Sequence, residues 1–221
     1  MTKAVILAEG TESGSVADRT TPRCLIEIGG QTILQRQIEI LKSCGFQEED
    51  IIVVIGERGK AWSEENKEKV KKLHNHVIVN PHNLETRNSY SFWLAVKDIK
   101  DDLLYIDGDV LFSKEVLENL IKSNYPSAIL TKKMRHLLGG NKVSVKNDRV
   151  VNVKAYSEPD VIYVGVAKFS KDLLEELKKE LNAIEHFNST LAIPLDNLCA
   201  SHYIHNLDIE SIVDVREGLA K

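Results

Sequence analysis

Along the first 127 residues, short apolar runs alternate with stretches whose apolar positions recur at helical spacing. The run Ala4-Val5-Ile6-Leu7-Ala8 reads as a buried parallel strand, continuous in hydrophobicity because both faces would be covered. It empties into a polar loop rich in Gly, Ser and Thr, followed by Thr21-Pro22-Arg23 and a second apolar piece ending at Gly29-Gly30. Over 31–44, Ile33, Leu34, Ile38 and Leu41 fall on one helical face, and Gly45 supplies a C-terminal stop. The β-branched run 51–55, closed by Gly56, predicts a second strand, and 76–80 a third. Between them, 61–73 reads as a charged helix. A polar stretch from His82 runs into a helix expected to reach Ile99. The strand 103–106 stops at Asp107-Gly108-Asp109, and Ser113 caps a helix over 114–122.

This alternation predicts an α/β fold with a doubly wound, mostly parallel sheet. From Ala128 the texture changes to strands over 128–131, 142–145, 150–153 and 161–169, with Asn147-Asp148 as a hairpin turn. A helix over 171–181, a strand over 202–207 ending at Asp208, and a last helix over 209–217 complete the expected order. No repeat, low-complexity tract or linker divides the chain, so a single domain over 1–221 is expected.

Composition narrows the function classes. With 43% hydrophobic residues in 221, the chain can bury a sizeable core. Its net charge of −4 is spread along the chain, which argues against a nucleic-acid partner. The absence of a membrane-length apolar run and of a signal-peptide pattern makes a cytoplasmic protein without membrane attachment the expectation. Cys24, Cys44 and Cys199 are widely spaced and odd in number, as suits free thiols in a reducing compartment.

Asp107-Gly108-Asp109 is the clearest polar singularity, placing carboxylates at the carboxyl edge of a parallel sheet, where such folds bind ligands. A carboxylate there can hold Mg²⁺ against phosphate oxygens, or it can merely cap the next helix. Asp208 ends another expected strand and is a second candidate ligand. Tyr90, Phe92 and Trp93 can either pack the core or box a cationic group. The histidines lack the spacing of a zinc site, and no nucleophile elbow supports serine catalysis. The loop after Ala8 fits phosphate cradling by backbone N–H groups, although it has neither Walker spacing nor GxGxxG.

Together these pieces resemble the nucleotidyltransferase family that includes sugar-1-phosphate nucleotidylyltransferases and bacterial-type choline-phosphate cytidylyltransferases. The resemblance rests on Lys3 to Ala8 with Gly10, Thr21-Pro22-Arg23-Cys24-Leu25, Ile28-Gly29-Gly30, the 51–56 run, Asn80-Pro81, Asn88-Ser89-Tyr90-Ser91, Asp107-Gly108-Asp109 and Leu207-Asp208. It implies a Rossmann-like, GT-A-like three-layer sandwich with a mixed, mostly parallel sheet. The half 1–127 would bind the nucleotide, and 128–221 would bind the acceptor and complete the sheet. It also implies Mg²⁺-dependent transfer of CMP from CTP, or of the nucleotidyl group of another NTP, onto a phosphorylated amino-alcohol, amino acid, phosphonate or sugar. Pyrophosphate is the second product.

By the same resemblance Arg23, Asp107 and Asp208 are catalytic, with Asp107 and Asp208 the metal ligands and Asp109 a weaker candidate. Leu7, Ala8, Glu9, Gly10, Thr11, Ser13, Asn88 and Ser89 would bind the nucleotide, and Tyr90, Trp93 and Tyr163 the acceptor. A homodimer is a compatible assembly. The chain departs from the family pattern at Glu9 and Glu12, where acids replace neutral residues, and at Arg23, where a lysine is usual. A nucleotide-binding or protein-interaction module without turnover is the alternative reading. A glycosyltransferase using the Asp-Gly-Asp triplet is a third.

Overall fold

In the computed structural model, residues 2–10, 20–133, 141–153, 161–182, 189–209 and 213–214 are described. In chain order the first half runs β1 (Thr2–Leu7), the short hairpin β2 (Glu27–Ile28) and β3 (Gln31–Thr32), α1 (Ile33–Ser43), β4 (Ile51–Gly56), α2 (Glu64–Leu73), β5 (Val77–Asn80), α3 (Asn88–Val96), β6 (Asp102–Asp107), β7 (Val110–Leu111) and α4 (Lys114–Lys122). The second half adds β8 (Ala128–Lys133), β9 (Asn141–Lys146), β10 (Arg149–Asn152), β11 (Val161–Phe169), α5 (Lys171–Asn182), α6 (Ala192–Cys199), β12 (His205–Asp208) and β13 (Val213–Asp214).

The β1 run is central because both its edges are occupied, by β4 and by β6, each in parallel. Alternation along β1 sends Ala4, Ile6 and Ala8 to one face, against Leu34, Ile38 and Leu41 of α1 and Leu117 of α4. Val5 and Leu7 go to the other face, against Phe92 and Val96 of α3 and the leucines of α5. Helices on both faces of one sheet make the expected three layers. Local signals hold at both ends of this frame. Thr32 caps α1 by accepting from Gln35 N at 3.1 Å, and Ser113 caps α4. Asn147 and Asp148 take φ of 51° and 57°, the left-handed pair that a tight hairpin between β9 and β10 requires.

The nine-stranded sheet has the order β5-β4-β1-β6-β11-β8-β12-β10-β9. It is parallel from β5 to β6 and mixed beyond. Strand β9 also pairs back onto β11, so β11, β8, β12, β10 and β9 form a closed ring.

Two expectations near the C-terminus are corrected. The span 209–217 does not begin as a helix: Ile209 N donates to Thr131 O at 2.7 Å, continuing the β12–β8 ladder, and Val213–Asp214 pairs antiparallel with β7. Pairing with a distant strand outweighs the local helical pattern there. The preceding strand starts at His205 rather than His202. Helix α6, which the sequence reading did not anticipate, carries Pro194 in its first turn, where the missing N–H costs nothing.

Candidate active site

Because β1, β4, β5 and β6 run the same way, their carboxyl ends share one sheet edge. A cleft of about 320 Å³ opens there. Of the residues expected at the site, Leu7, Ala8, Glu9, Gly10, Arg23, Asn88 and Asp107 line it. Cys24, Arg87 and Thr190, which the sequence reading did not assign to the site, line it too.

The Asp107–Asp109 turn is held against β1 from below. Gly108 N donates to Leu7 O at 2.9 Å, and a Cβ on Gly108 would lie 2.7 Å from Ala8 Cα. Only glycine lets the two strand ends approach so closely. From α1, the buried Gln37 amide donates to the carbonyls of Asp107 and Val110 at 2.9 and 2.8 Å, gripping both ends of the turn. No local sequence signal marked Gln37, since its partners lie about 70 residues away. Asp109 points to the Arg23 guanidinium, with Nε to Oδ2 at 2.9 Å. That guanidinium in turn lies over Gly10, where a Cβ would be 2.5 Å from Nη2. The backbone closes the same contact, Arg23 N donating to Gly10 O at 3.1 Å. Gly10, Arg23 and Asp109 therefore form one packed unit.

Asp107 ends β6 facing Gly165, whose φ of 79° and lack of a side chain make room for the carboxylate. Tyr105 donates its hydroxyl to Asp107 Oδ1. Burial first, then the Asp107 charge, pushes the phenols of Tyr105 and Tyr163 well above the usual tyrosine range. The Tyr163 hydroxyl is buried without a hydrogen-bond partner among the described residues. Asp208 ends β12. Since β11 is antiparallel to both β6 and β8, and β12 is parallel to β8, Asp107 and Asp208 terminate strands of the same direction. Asp208 is exposed, with Lys133 Nζ at 3.8 Å, and does not line the cleft.

Glu9 does not simply add a negative charge to a phosphate loop. Its Oε2 accepts from Ser91 Oγ and from Asn80 Nδ2 at 3.1 Å, and Asn80 is fully buried at the end of β5. Trp62 Nε1 donates to the Glu9 carbonyl at 3.1 Å. Burial raises the Glu9 carboxyl above the ordinary glutamate range, while the bonds from Ser91 and Asn80 oppose that rise.

The α3 residues divide. Asn88 lines the cleft and accepts from Leu191 N at 3.0 Å, tying α3 to the segment carrying Thr190. Ser89 is fully buried beside Ser189, and Tyr90 stacks on Trp93 with centroids 5.9 Å apart. Trp93 donates Nε1 to Asn182 Oδ1 at 2.8 Å, and the Lys97 ammonium lies 5.4 Å from its ring centre. Ser89, Tyr90, Trp93 and Tyr163 do not line the cleft. Thr11, Ser13 and Glu12 lie outside the described residues.

Residues 4–189 match the family described as a MobA-like NTP transferase domain. The chain belongs to that family. Among curated relatives, the chain is 30% identical over 151 residues to a CMP-5'-(3-aminopropyl)phosphonate synthase of Streptomyces rubellomurinus. That match covers 67% of the chain and 24% of the synthase, so the chain spans about a quarter of that relative. It is 24% identical to a CTP:phosphoglutamine cytidylyltransferase of Campylobacter jejuni, over 94% of the chain and 98% of the relative. Among solved structures, the CTP:phosphocholine cytidylyltransferase LicC of Streptococcus pneumoniae superposes with a TM-score of 0.78 at 18% identity, over 99% of this chain and 98% of that one. At that identity the likeness establishes the nucleotidyltransferase fold. No helix among the described residues is long and apolar enough to cross a membrane.

Proposed function

We propose that this MobA-like domain is a cytidylyltransferase that moves CMP from CTP onto a small molecule bearing a phosphate or phosphonate. The observation that carries this reading is a cleft at the carboxyl edge of the sheet that combines Asp107 with two arginines, Arg23 and Arg87. The names of the two curated relatives, one handling a phosphonate and one phosphoglutamine, support the choice of CTP and of a phosphorylated acceptor.

In the reaction, an acceptor oxygen attacks the α-phosphorus of CTP. The bond to the bridging oxygen breaks, and pyrophosphate leaves with the electron pair. Such transfers depend on positioning and charge neutralisation more than on covalent catalysis. The backbone of residues 7–10 cradles the nucleotide, and the Arg23 guanidinium, steadied by Asp109, binds phosphate oxygens as a planar fork. Asn88 holds the rim of the cleft through Leu191, while Tyr163, Tyr90 and Trp93, which do not line the cleft itself, stay candidates for contact with the acceptor. No group of three metal-binding side chains gathers among the described residues. Mg²⁺ does not require one, because it commonly takes one or two carboxylates and completes its shell with water and substrate phosphate. Asp107, with Asp208 as the second carboxylate, would hold it, and its charge would offset that of the triphosphate.

The test is a matrix of the four NTPs against phosphocholine, phosphoglutamine, an aminoalkylphosphonate and sugar phosphates, with Mg²⁺, read as pyrophosphate release. CTP with one acceptor class is expected to dominate. A folded protein that releases no pyrophosphate with any pair would sink the reading.

A further inference from the structure

Glu9 stands in a cleft that, on the reading above, receives a triphosphate, and a carboxylate facing phosphate oxygens is repulsive. The side chain avoids that arrangement. Its Oε2 is bound by Ser91 of α3 and by Asn80 of β5. In the sheet order β5 lies on the opposite side of β1 from β6, so the carboxyl reaches along the edge away from Asp107. Both donors are neutral, and Asn80 also contacts Thr86 Oγ1 at 3.2 Å. Among the described residues, the hydrogen bonds that the Glu9 carboxyl accepts are both made by Oε2. The acid is thus fixed through Oε2 by an uncharged polar cluster, and Glu9 is one of the residues that line the cleft.

We infer that Glu9 selects the nucleobase, its Oε1 accepting from the exocyclic amine of cytosine and turning away uracil. The inference rests on the proposed use of CTP and adds the residue that enforces it. An ionised carboxylate can only accept. The cytosine N4 amine donates to such a group, whereas uracil presents a carbonyl oxygen at the same ring position. A buried acceptor that meets another acceptor is left unpaired, which is how polar sites reject near-isosteric ligands. A hydrogen bond to a charged group sets the expected discrimination at about 10- to 100-fold.

Calorimetric binding of CTP and UTP, without acceptor, tests this on the wild type and on Glu9→Gln. The wild type is expected to bind CTP about 10- to 100-fold more tightly than UTP. Glu9→Gln, which offers both a donor and an acceptor, is expected to bring the ratio close to one. Ser91→Ala keeps the carboxylate but loosens it, and is expected to reduce the ratio by a smaller factor. Equal wild-type binding of CTP and UTP, or an unchanged ratio in Glu9→Gln, overturns the assignment. Selective CTP binding without transfer to any acceptor overturns only the proposed activity. A wild type that binds neither nucleotide overturns both.

Discussion

The Gln37 amide on α1 grips Asp107 by its backbone carbonyl at 2.9 Å and, with the same nitrogen, the carbonyl of Val110 at 2.8 Å. The carboxylate expected to meet the substrate is therefore aimed by a helix on the far side of its own turn. Gln37→Leu keeps the bulk and strips both carbonyls of their donor. Leaving buried polar groups unsatisfied costs about 1–3 kcal/mol. Urea denaturation is expected to show a loss of that order together with slower pyrophosphate release. Wild-type stability in the variant would show that the turn does not depend on this amide.

Asp107→Asn keeps the shape of the side chain and its bond from Tyr105 while removing the charge. Loss of a group that stabilises charge in the transition state typically costs on the order of 100-fold or more in kcat. Steady-state pyrophosphate release should fall by that much with the fold intact by circular dichroism. A variant retaining near-wild-type turnover would remove Asp107 from the chemistry.

Gly108→Ala places a methyl 2.7 Å from Ala8 Cα and 2.9 Å from Leu7 O, both backbone atoms that cannot swing aside. Overpacking of this kind costs about 1–3 kcal/mol. Thermal unfolding should show a lower Tm, and the cleft should lose nucleotide affinity because the ends of β1 and β6 are forced apart. The same substitution at Gly30, which has nothing within 4 Å of the added carbon, meets no neighbour and strains only its own backbone.

The raised carboxyl of Glu9 makes stability pH-dependent in a defined direction. Its folded pKa lies above the unfolded value near 4.5, so the folded state binds the proton more readily. The associated stability is fully present below that unfolded value and is lost as pH rises through the folded pKa. Glu9→Gln has no proton to lose there. The stability of Glu9→Gln relative to wild type should therefore increase as pH is raised from about 4.5 and then level off. Parallel urea titrations across that window measure it, and a pH-independent difference would contradict the burial of the acid.

Thiol chemistry separates the three cysteines. Burial pushes the Cys24 and Cys199 thiols up to about 12, leaving almost no thiolate at neutral pH. Cys44 is partly exposed at the end of α1. Native-state alkylation followed by mass spectrometry should label Cys44 first, with Cys24 and Cys199 reacting only after unfolding. Early modification of Cys24 would mean that the cleft opens further than its packing suggests.

The parallel half of the sheet was readable because each strand is a short apolar run bounded by a glycine, proline or acidic turn, as at Ile51–Gly56 and Asn80-Pro81. The hairpin at Asn147-Asp148 was readable because the left-handed conformation selects those residue types. Strand β13 was not, since two residues acquire strand geometry only from β7, about 100 positions earlier. Within the site, residue type pointed to Asp107, Arg23 and the β1 loop. Gln37 and Ser91 act through contacts that no local pattern encodes. Glu9 shows the limit most plainly: its charge was legible in the sequence, but its orientation depends on Asn80 and Ser91, 71 and 82 positions away.

The ring of β11, β8, β12, β10 and β9 also bears on how the chain avoids joining itself. Each of these strands has a neighbour on both sides, so the C-terminal half of the sheet offers an incoming strand little backbone to pair with. At the other end of the sheet β5 is the terminal strand, and it is only four residues long. A short edge ending in Asn80-Pro81 is a poor template for cross-strand association, because proline has no N–H to donate. The closed ring at one end and the short edge at the other therefore guard a nine-stranded sheet against growing by edge-to-edge addition.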